Sequence, residues 1–423
     1  MGKVARKIEI DEADFRQSLD DILRTGAQEM LIRALEHEVS MYLSSTQDCR
    51  DLIGRALVCR NGHGQTRTLT SGGGSLKIRA PRINDKRLDE SGNRIRFESR
   101  ILPAYARRSP KLAEALPVLY LRGLSSNAIG DALKDLLGET TSGLSSSAIS
   151  KLTDAWLEDF KQFKKRDLSQ ASYVYVWADG IYFGVRDEDE KMCTLVVMGV
   201  TLEGNKEIIA VEDGYRESAE AWKSILRDLT TRGMHAPKLA IADGALGFWS
   251  AVSAIWPTTR QQRCWVHKKK NILGYFPKKG SHKVTDAIDE IIKSATKADA
   301  QKAVTAFKIK YQNKYPKAVE CLLKDKDSLL AFFDFPDVHW THIRTTNPLE
   351  SAFATVRLRT NQTRACGSKT KTLTMVLKLL QNAQKNWNKV RGHQMLECVW
   401  NGIKFADGIK VEAINKSQTK YAA

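Results

Sequence analysis

Residues 172–213 read SYVYVWADGIYFGVRDEDEKMCTLVVMGVTLEGNKEIIAVED, and this stretch decides the fold class. β-Branched and aromatic residues crowd it, as they do on the pleated surface of a sheet, and three turn signals interrupt it. The acidic run from Asp187 to Lys191 and the Glu203-Gly204-Asn205-Lys206 segment divide it into strands over roughly 173–186, 192–200 and 206–212, an antiparallel meander. The third signal, Asp179-Gly180, is a strong hairpin dipeptide and would cut the first strand in two. A long first strand with Asp179 in its middle is preferred, because the other two turns already account for the meander.

Downstream the period changes. ESAEAWKSILRDLTTRG (217–233) predicts a helix stopped by Gly233, and PKLAIAD (237–243) predicts a buried strand. GALGFWSAVSAIW (244–256) predicts a second helix and RQQRCWV (260–266) a fifth strand. The order β-β-β-α-β-α-β is that of a mixed α/β sheet. Ala-Asp-Gly closes an apolar run twice, at Asp179 and at Asp243. Aspartate is a poor strand residue, so two such placements call for a reason. Asp243 fits a helix N-cap, and both aspartates fit one edge of adjacent strands.

From Lys268 to about Asp334 the strand signals vanish, and VTDAIDEIIKSA, ADAQKAVTAFKIKYQNKY and PKAVECLLKDKDSLLAFF read as amphipathic helices, an all-α insertion in the α/β domain. In TTNPLES (345–351), Asn347 suits an N-cap, Pro348 the first helical position and Glu350 the third, close to a capping box. A carboxylate on a first helical turn is also kept ionised by the helix dipole, which suits a metal ligand equally well. RCWVHKKKN (263–271) places Cys264 and His267 at C-x2-H spacing. That is half a zinc site, or else a buried cysteine and a histidine able to meet a phosphate.

The N-terminal part is mainly helical. Apolar residues at helical spacing between positions 11 and 43 predict a long helix, and CRNGHGQTRTLTSGGGSLKIRAPRI (59–83) predicts a hairpin with a Gly-rich turn. Cys59 and His63 stand at C-x3-H spacing with no further ligands nearby, which is weak for zinc. Helices are expected again from Pro110 to about Lys165. The one starting at Ser145 or Ser146 presents Ser147, Ser150 and Lys151 like a helix-turn-helix recognition helix, although the connection before it is longer than usual.

The chain has 423 residues, enough for two to four domains, and its 42% hydrophobic content is sufficient for their cores. No apolar run reaches the ~18 residues of a membrane span, and no secretory signal is expected at the N-terminus. Seven cysteines without a C-x2-C pair fit a reducing cytoplasm. Lys and Arg total 67 against 49 Asp and Glu, a net charge of +18, which points to a polyanion such as nucleic acid. No acid lies between Asp243 and Asp286 or between Glu350 and Glu397. Lys268, Lys269 and Lys270 fall in the first tract, Arg357 and Arg359 in the second, as candidate phosphate contacts.

The run RTTNPLESAFATVRLRT, the Asp-Gly after each strand and the C-x2-H before a helical insertion together resemble the bacterial Mutator-type insertion-sequence transposases. CRNGHGQTRTLTSGGG, LRGLSSNAIGDAL and AQKNWNKVRG extend the resemblance over almost the whole chain. It implies a ribonuclease-H-like catalytic domain whose triad of acids is Asp179, Asp243 and Glu350. These would hold two Mg²⁺ or Mn²⁺ ions, with Cys264 and His267 supporting the site. The implied reaction is binding of terminal inverted repeats, cleavage at the element ends and attack of the exposed 3′-OH on target DNA, with both ends held by a homodimer. The expected domains are 1–108 for DNA binding or dimerisation, 109–168 like a helix-turn-helix, 169–267 with 340–394 for catalysis, 268–339 as the insertion, and 395–423 as a tail. Two other functions remain open: a structure-selective endonuclease without strand transfer, and a non-catalytic DNA-binding regulator on the same fold.

Overall fold

The computed structural model describes residues 12–121, 126–137, 146–184, 192–214, 217–244, 246–277, 281–362 and 368–411. The chain divides into two compact units, Met1–Asp154 and Ala155–Ala423.

In the first unit, the long apolar-periodic segment forms helix α1 (Glu12–Ser45). β1 (Val58–His63) pairs antiparallel with β4 (Pro81–Asp85), and β2 (Arg67–Ser71) forms the expected hairpin with β3 (Gly74–Ile78). Leu35 of α1 is buried with Leu69, Leu76, Ile78 and Leu102, which fixes the helix on the hairpin. A polar knot joins α1 to the end of β4. Tyr42 donates its hydroxyl to Asp85 at 2.7 Å, and the Arg87 guanidinium reaches both Asp85 and the Tyr42 oxygen at 2.8 Å. His63 of the C-x3-H pair sits 2.9 Å from the Glu36 carboxylate. α2 (Pro110–Leu121) and α3 (Ser126–Leu137) share a small core of Leu112, Leu116, Ile129 and Leu133. α4 (Ser146–Lys165) follows. The connection that would define a helix-turn-helix, residues 138–145, lies outside the described residues.

The second unit is built on a five-stranded sheet of order β7-β6-β5-β8-β9. β5 (Tyr173–Phe183), β6 (Met192–Thr201) and β7 (Lys206–Asp213) form the antiparallel meander, whereas β8 (Leu239–Ala242) and β9 (Arg260–Arg263) extend the sheet parallel to β5. Asp179 pairs with Val196 and Gly180 with Leu195 inside one continuous ladder. The first strand therefore runs through the Asp-Gly and is not turned by it.

Helices cover both faces, so β6 is buried along its whole length, as expected for strands inside an α/β layer structure. α5 (Ala219–Thr231) and α6 (Leu246–Ile255) supply Trp222, Leu226, Phe248 and Val252 to a core with Val176, Ala178, Leu195 and Val197. α5 opens on Ser218, whose Oγ accepts from the Ala221 N–H, and ends at Gly233 in the left-handed region at φ +90°. A Cβ on Gly233 would lie 3.0 Å from the Ser169 backbone, so chirality and space both require glycine there.

One boundary differs from expectation. Cys264, Trp265 and Val266 do not continue the fifth strand: β9 stops at Arg263, and α7 (Trp265–Leu273) starts with Cys264 at its N-cap. Trp and Val favour strands by propensity, but the Cys264 carbonyl accepts the Lys268 N–H at 3.0 Å and closes the first helical turn instead.

α8 (His282–Lys293), α9 (Lys297–Tyr311), α10 (Pro316–Lys324) and the short α11 (Lys326–Leu329) form the expected helical stretch. After α12 (Trp340–Ile343), α13 (Asn347–Gln362) packs on β5 and α14 (Lys369–Gln384) on β7. The segment from 395 is more than a tail. α15 (Leu396–Trp400) and the β10–β11 hairpin (Phe405–Ala406, Ile409–Lys410) are tied down where Asp407 accepts the Lys297 N–H at 2.6 Å.

Candidate active site

Strand alternation aims Asp179. Val176 and Ala178 face the α5–α6 core, so Trp177 and Asp179 project from the opposite face. The Trp177 indole N–H donates to the carbonyls of His342 and Thr345, both at 3.2 Å, which brings the segment leading into α13 to this face. Ala178 and Ala242 are partners in the parallel β5–β8 ladder. The residue following each is an aspartate, so Asp179 and Asp243 stand side by side on neighbouring inner strands, at the end of β8. Partial burial, followed by the charge of Asp243, pushes the Asp179 carboxyl up to about 7.

Glu350 joins them from α13. The helix starts one residue earlier than its sequence indicates: the Thr346 carbonyl accepts the Glu350 N–H at 3.0 Å, so Thr346, not Asn347, closes the first turn. The Thr346 side chain is fully buried. Its Oγ1 donates to Glu350 Oε1 at 2.9 Å and lies 3.2 Å from Cys264 Sγ and 3.4 Å from His267 Nδ1. His267 Nδ1 is 3.6 Å from the Glu350 carboxylate. A hydrogen bond to the Cys264 sulfur raises the imidazole to about 9 against the opposing effect of burial, and the charges of Cys264, Asp179 and Glu350 add to the rise. Burial alone would push the Cys264 thiol up, but hydrogen bonds from His267 and Thr346 hold it below its ordinary value.

The C-x2-H pair is thus part of the same site as the acids. The ligand atoms of Cys264, His267 and Glu350 all lie within 4.8 Å of one another. The three carboxylates do not form so tight a set among the described residues: Asp179 and Asp243 adjoin, and His267 interacts electrostatically with both Asp179 and Glu350. The donor chemistry nevertheless suits a hard divalent cation. Carboxylate oxygens are what Mg²⁺ prefers, and a cation there would relieve the repulsion from Asp243 that adds to the effect of burial on Asp179.

A fourth carboxylate went unforeseen. Glu217 lies between β7 and α5 with a left-handed backbone, φ +54°. Its side chain covers Gly180, where a Cβ would collide with the carboxylate. Burial and the charge of Asp243 raise its pKa. The sequence offered no signal beyond its place just before the Ser218 cap, because loop carboxylates are common.

The candidate phosphate contacts divide. Lys270 and Arg357 are exposed, and the Arg357 guanidinium lies over the Phe353 ring. Lys269 is paired with Asp289. Lys268 and Arg359 must be corrected, since they are 1% and 3% exposed and present no charge at the surface. Helical periodicity puts Lys268 on the inner face of α7 with Trp265 and Ile272, where its ammonium meets Asp325. The same carboxylate takes Arg263, whose guanidinium lies against Gly244, beside Asp243. Arg359 shares the inner face of α13 with Val356 and Thr360. The side chains of Ser147, Ser150 and Lys151 lie outside the described residues.

Fold and site together define a mixed α/β domain with acidic side chains gathered where β8 ends beside the continuing β5, next to a C-x2-H pair and a capped helix. The chain belongs to the Mutator family of transposases, whose profile matches residues 2–390. It is 48% identical over 301 residues to the transposase for insertion sequence element IS6120 of Mycolicibacterium smegmatis, covering 71% of this chain and 93% of that one. It is 45% identical over 280 residues to the transposase for element IST2 of Acidithiobacillus ferrooxidans, covering 66% and 95%. With the transposase for ISRM5 of Rhizobium meliloti it shares 29% over 371 residues, 87% and 88% of the two chains. No helix among the described residues is long and apolar enough to cross a membrane.

Proposed function

We propose that this insertion-sequence transposase is an acid-triad enzyme on a ribonuclease-H-like domain, which binds the inverted repeats of its element, cleaves DNA at the ends and joins the exposed 3′-OH to target DNA. The observation that carries this is the parallel β5–β8 register, which sets Asp179 and Asp243 side by side, with Glu350 tied in through His267. Asp179, Asp243 and Glu350 are the residues that would hold two Mg²⁺ or Mn²⁺ ions. Bound there, such ions supply Lewis-acid stabilisation of the attacking and leaving oxygens of a phosphodiester.

The chain's own residues do the rest. His267 carries a proton between Asp179 and Glu350 and balances their charge. Exposed Lys270 and Arg357 hold backbone phosphate, an interaction that weakens steeply with salt. Double-stranded DNA is the partner, residues 109–168 take part in recognising it, and a homodimer holds two element ends together.

The test is cleavage of a duplex carrying one element end by the Asp179→Ala, Asp243→Ala and Glu350→Ala variants. Each should lose Mg²⁺-dependent cleavage and retain end binding. Cleavage that survives any one of these changes would remove that residue from the site.

A further inference from the structure

We propose that Cys264 and Thr346 form a hydrogen-bonded bracket that positions Glu350 relative to Asp243, making Thr346 a positioning residue of the site. The inference rests on the reading of Glu350 as a metal-holding carboxylate. The link is continuous. The Cys264 N–H donates to the carbonyl of Ala242, the residue before Asp243, at 2.8 Å. The Thr346 N–H donates to Cys264 Sγ at 3.3 Å. Thr346 Oγ1–H then donates to Glu350 Oε1 at 2.9 Å. Three hydrogen bonds thus connect the end of β8 to the carboxylate on α13, across a separation of 82 positions from Cys264 to Thr346.

The hydroxyl has a single proton and three polar neighbours. The Glu350 oxygen is the nearest at 2.9 Å, and oxygen accepts far better than the weakly accepting sulfur, so it takes the proton. The remaining lone pairs of Oγ1 face His267 Nδ1 at 3.4 Å, and Cys264 Sγ keeps the Thr346 backbone N–H. Thr346 and Cys264 are both fully buried, so water cannot replace either contact. A threonine supplies both links at once, a backbone donor to sulfur and a side-chain donor to carboxylate. The C-x2-H cysteine thereby acts as a spacer, with no bond to a metal required of it.

Partners of this kind orient metal-holding groups, and their loss weakens metal affinity by about 10–100-fold. The experiment is Mn²⁺ binding to the DNA-free full chain by calorimetry, with the Mg²⁺ dependence of end cleavage alongside. Thr346→Val should weaken Mn²⁺ binding by about tenfold or more and raise the Mg²⁺ half-saturation point in step. Thr346→Ser should return both to near the unmodified values. A purely structural role would lower the folded fraction and leave the half-saturation point of the folded protein unmoved. Unchanged Mn²⁺ affinity in Thr346→Val overturns the bracket. If that variant does not fold, Cys264→Ala decides, with weaker Mn²⁺ binding expected and unchanged binding contradicting the proposal. Glu350→Gln separates the two levels: wild-type binding and cleavage in that variant would refute the Glu350 reading itself, whereas its loss beside a normal Thr346→Val would refute only the bracket.

Discussion

Ala178 and Ala242 are partners in the parallel β5–β8 ladder, and the residue after each is an aspartate. Two strands far apart in sequence thus deliver carboxylates to one point by register alone. A one-residue slip would send Asp243 to the other face of the sheet, so packing of β8 under α5 and α6 is also what aligns the site.

Gly180 is where a small change should reach that alignment. A methyl group there would collide with the Glu217 carboxylate, the mobile end of a side chain. Gly180→Ala should fold with a melting temperature within a few degrees of wild type and lose most end cleavage. Thermal melts and cleavage rates on the same preparation check this, and full activity would show that Glu217 is free to move aside.

Asp85 makes the first unit acid-sensitive. Hydrogen bonding to Arg87 holds its carboxyl at about 2, against an ordinary value of 3.8. The folded-state pKa is depressed, so the stabilisation is complete above pH ~4 and disappears as pH falls toward 2, worth about 2 kcal/mol. Urea melts of residues 1–154 as part of the full chain should show this loss. Asp85→Asn should show a comparable deficit at neutral pH and a flatter acid profile.

Lys268 and Lys270 should behave oppositely although they stand two positions apart. Lys268→Ala leaves the buried site around Asp325 with one cation fewer and should destabilise the second unit by roughly 3 kcal/mol. Lys270→Ala and Arg357→Ala should leave the melting temperature alone. Each should weaken DNA binding across sequences and reduce the salt-dependence slope by about one. Binding measured over a range of salt, together with melts, separates the two behaviours.

Gly233 ends α5 at φ +90° against the Ser169 backbone. Gly233→Ala should cost more than about 1 kcal/mol, read in denaturant melts.

Much of this architecture is legible in the chain. The meander is written in the β-branched runs around residues 173–183 and 192–201 and in the turns between them, because a fully buried strand admits little else. Asp179 and Asp243 stand out because each follows an apolar run in which a carboxylate has few structural uses, whereas Glu350 is equally well explained as part of a helix start. What composition cannot convey is which face a charge occupies. Lys268 and Arg359 count toward basic tracts, yet helical rotation turns both inward. Trp265 and Val266 carry strand propensity that a single main-chain hydrogen bond from Lys268 to Cys264 overrides. Glu217 is invisible beforehand because its role depends on a loop crossing Gly180, a contact between segments with no common pattern. The Thr346 link is hidden for the same reason, since its partner sulfur is 82 residues away.

The central claim is that Asp179, Asp243 and Glu350 perform both cleavage and joining. It is tested most directly by supplying pre-cut element ends with free 3′-OH groups, together with target duplex and Mg²⁺, to the wild-type chain and to Asp243→Asn. The account requires joined product with the wild-type chain and none with the variant, while both bind the ends equally. Joining by Asp243→Asn at the wild-type rate, or cutting by the wild-type chain with no joining under any divalent cation, would contradict it.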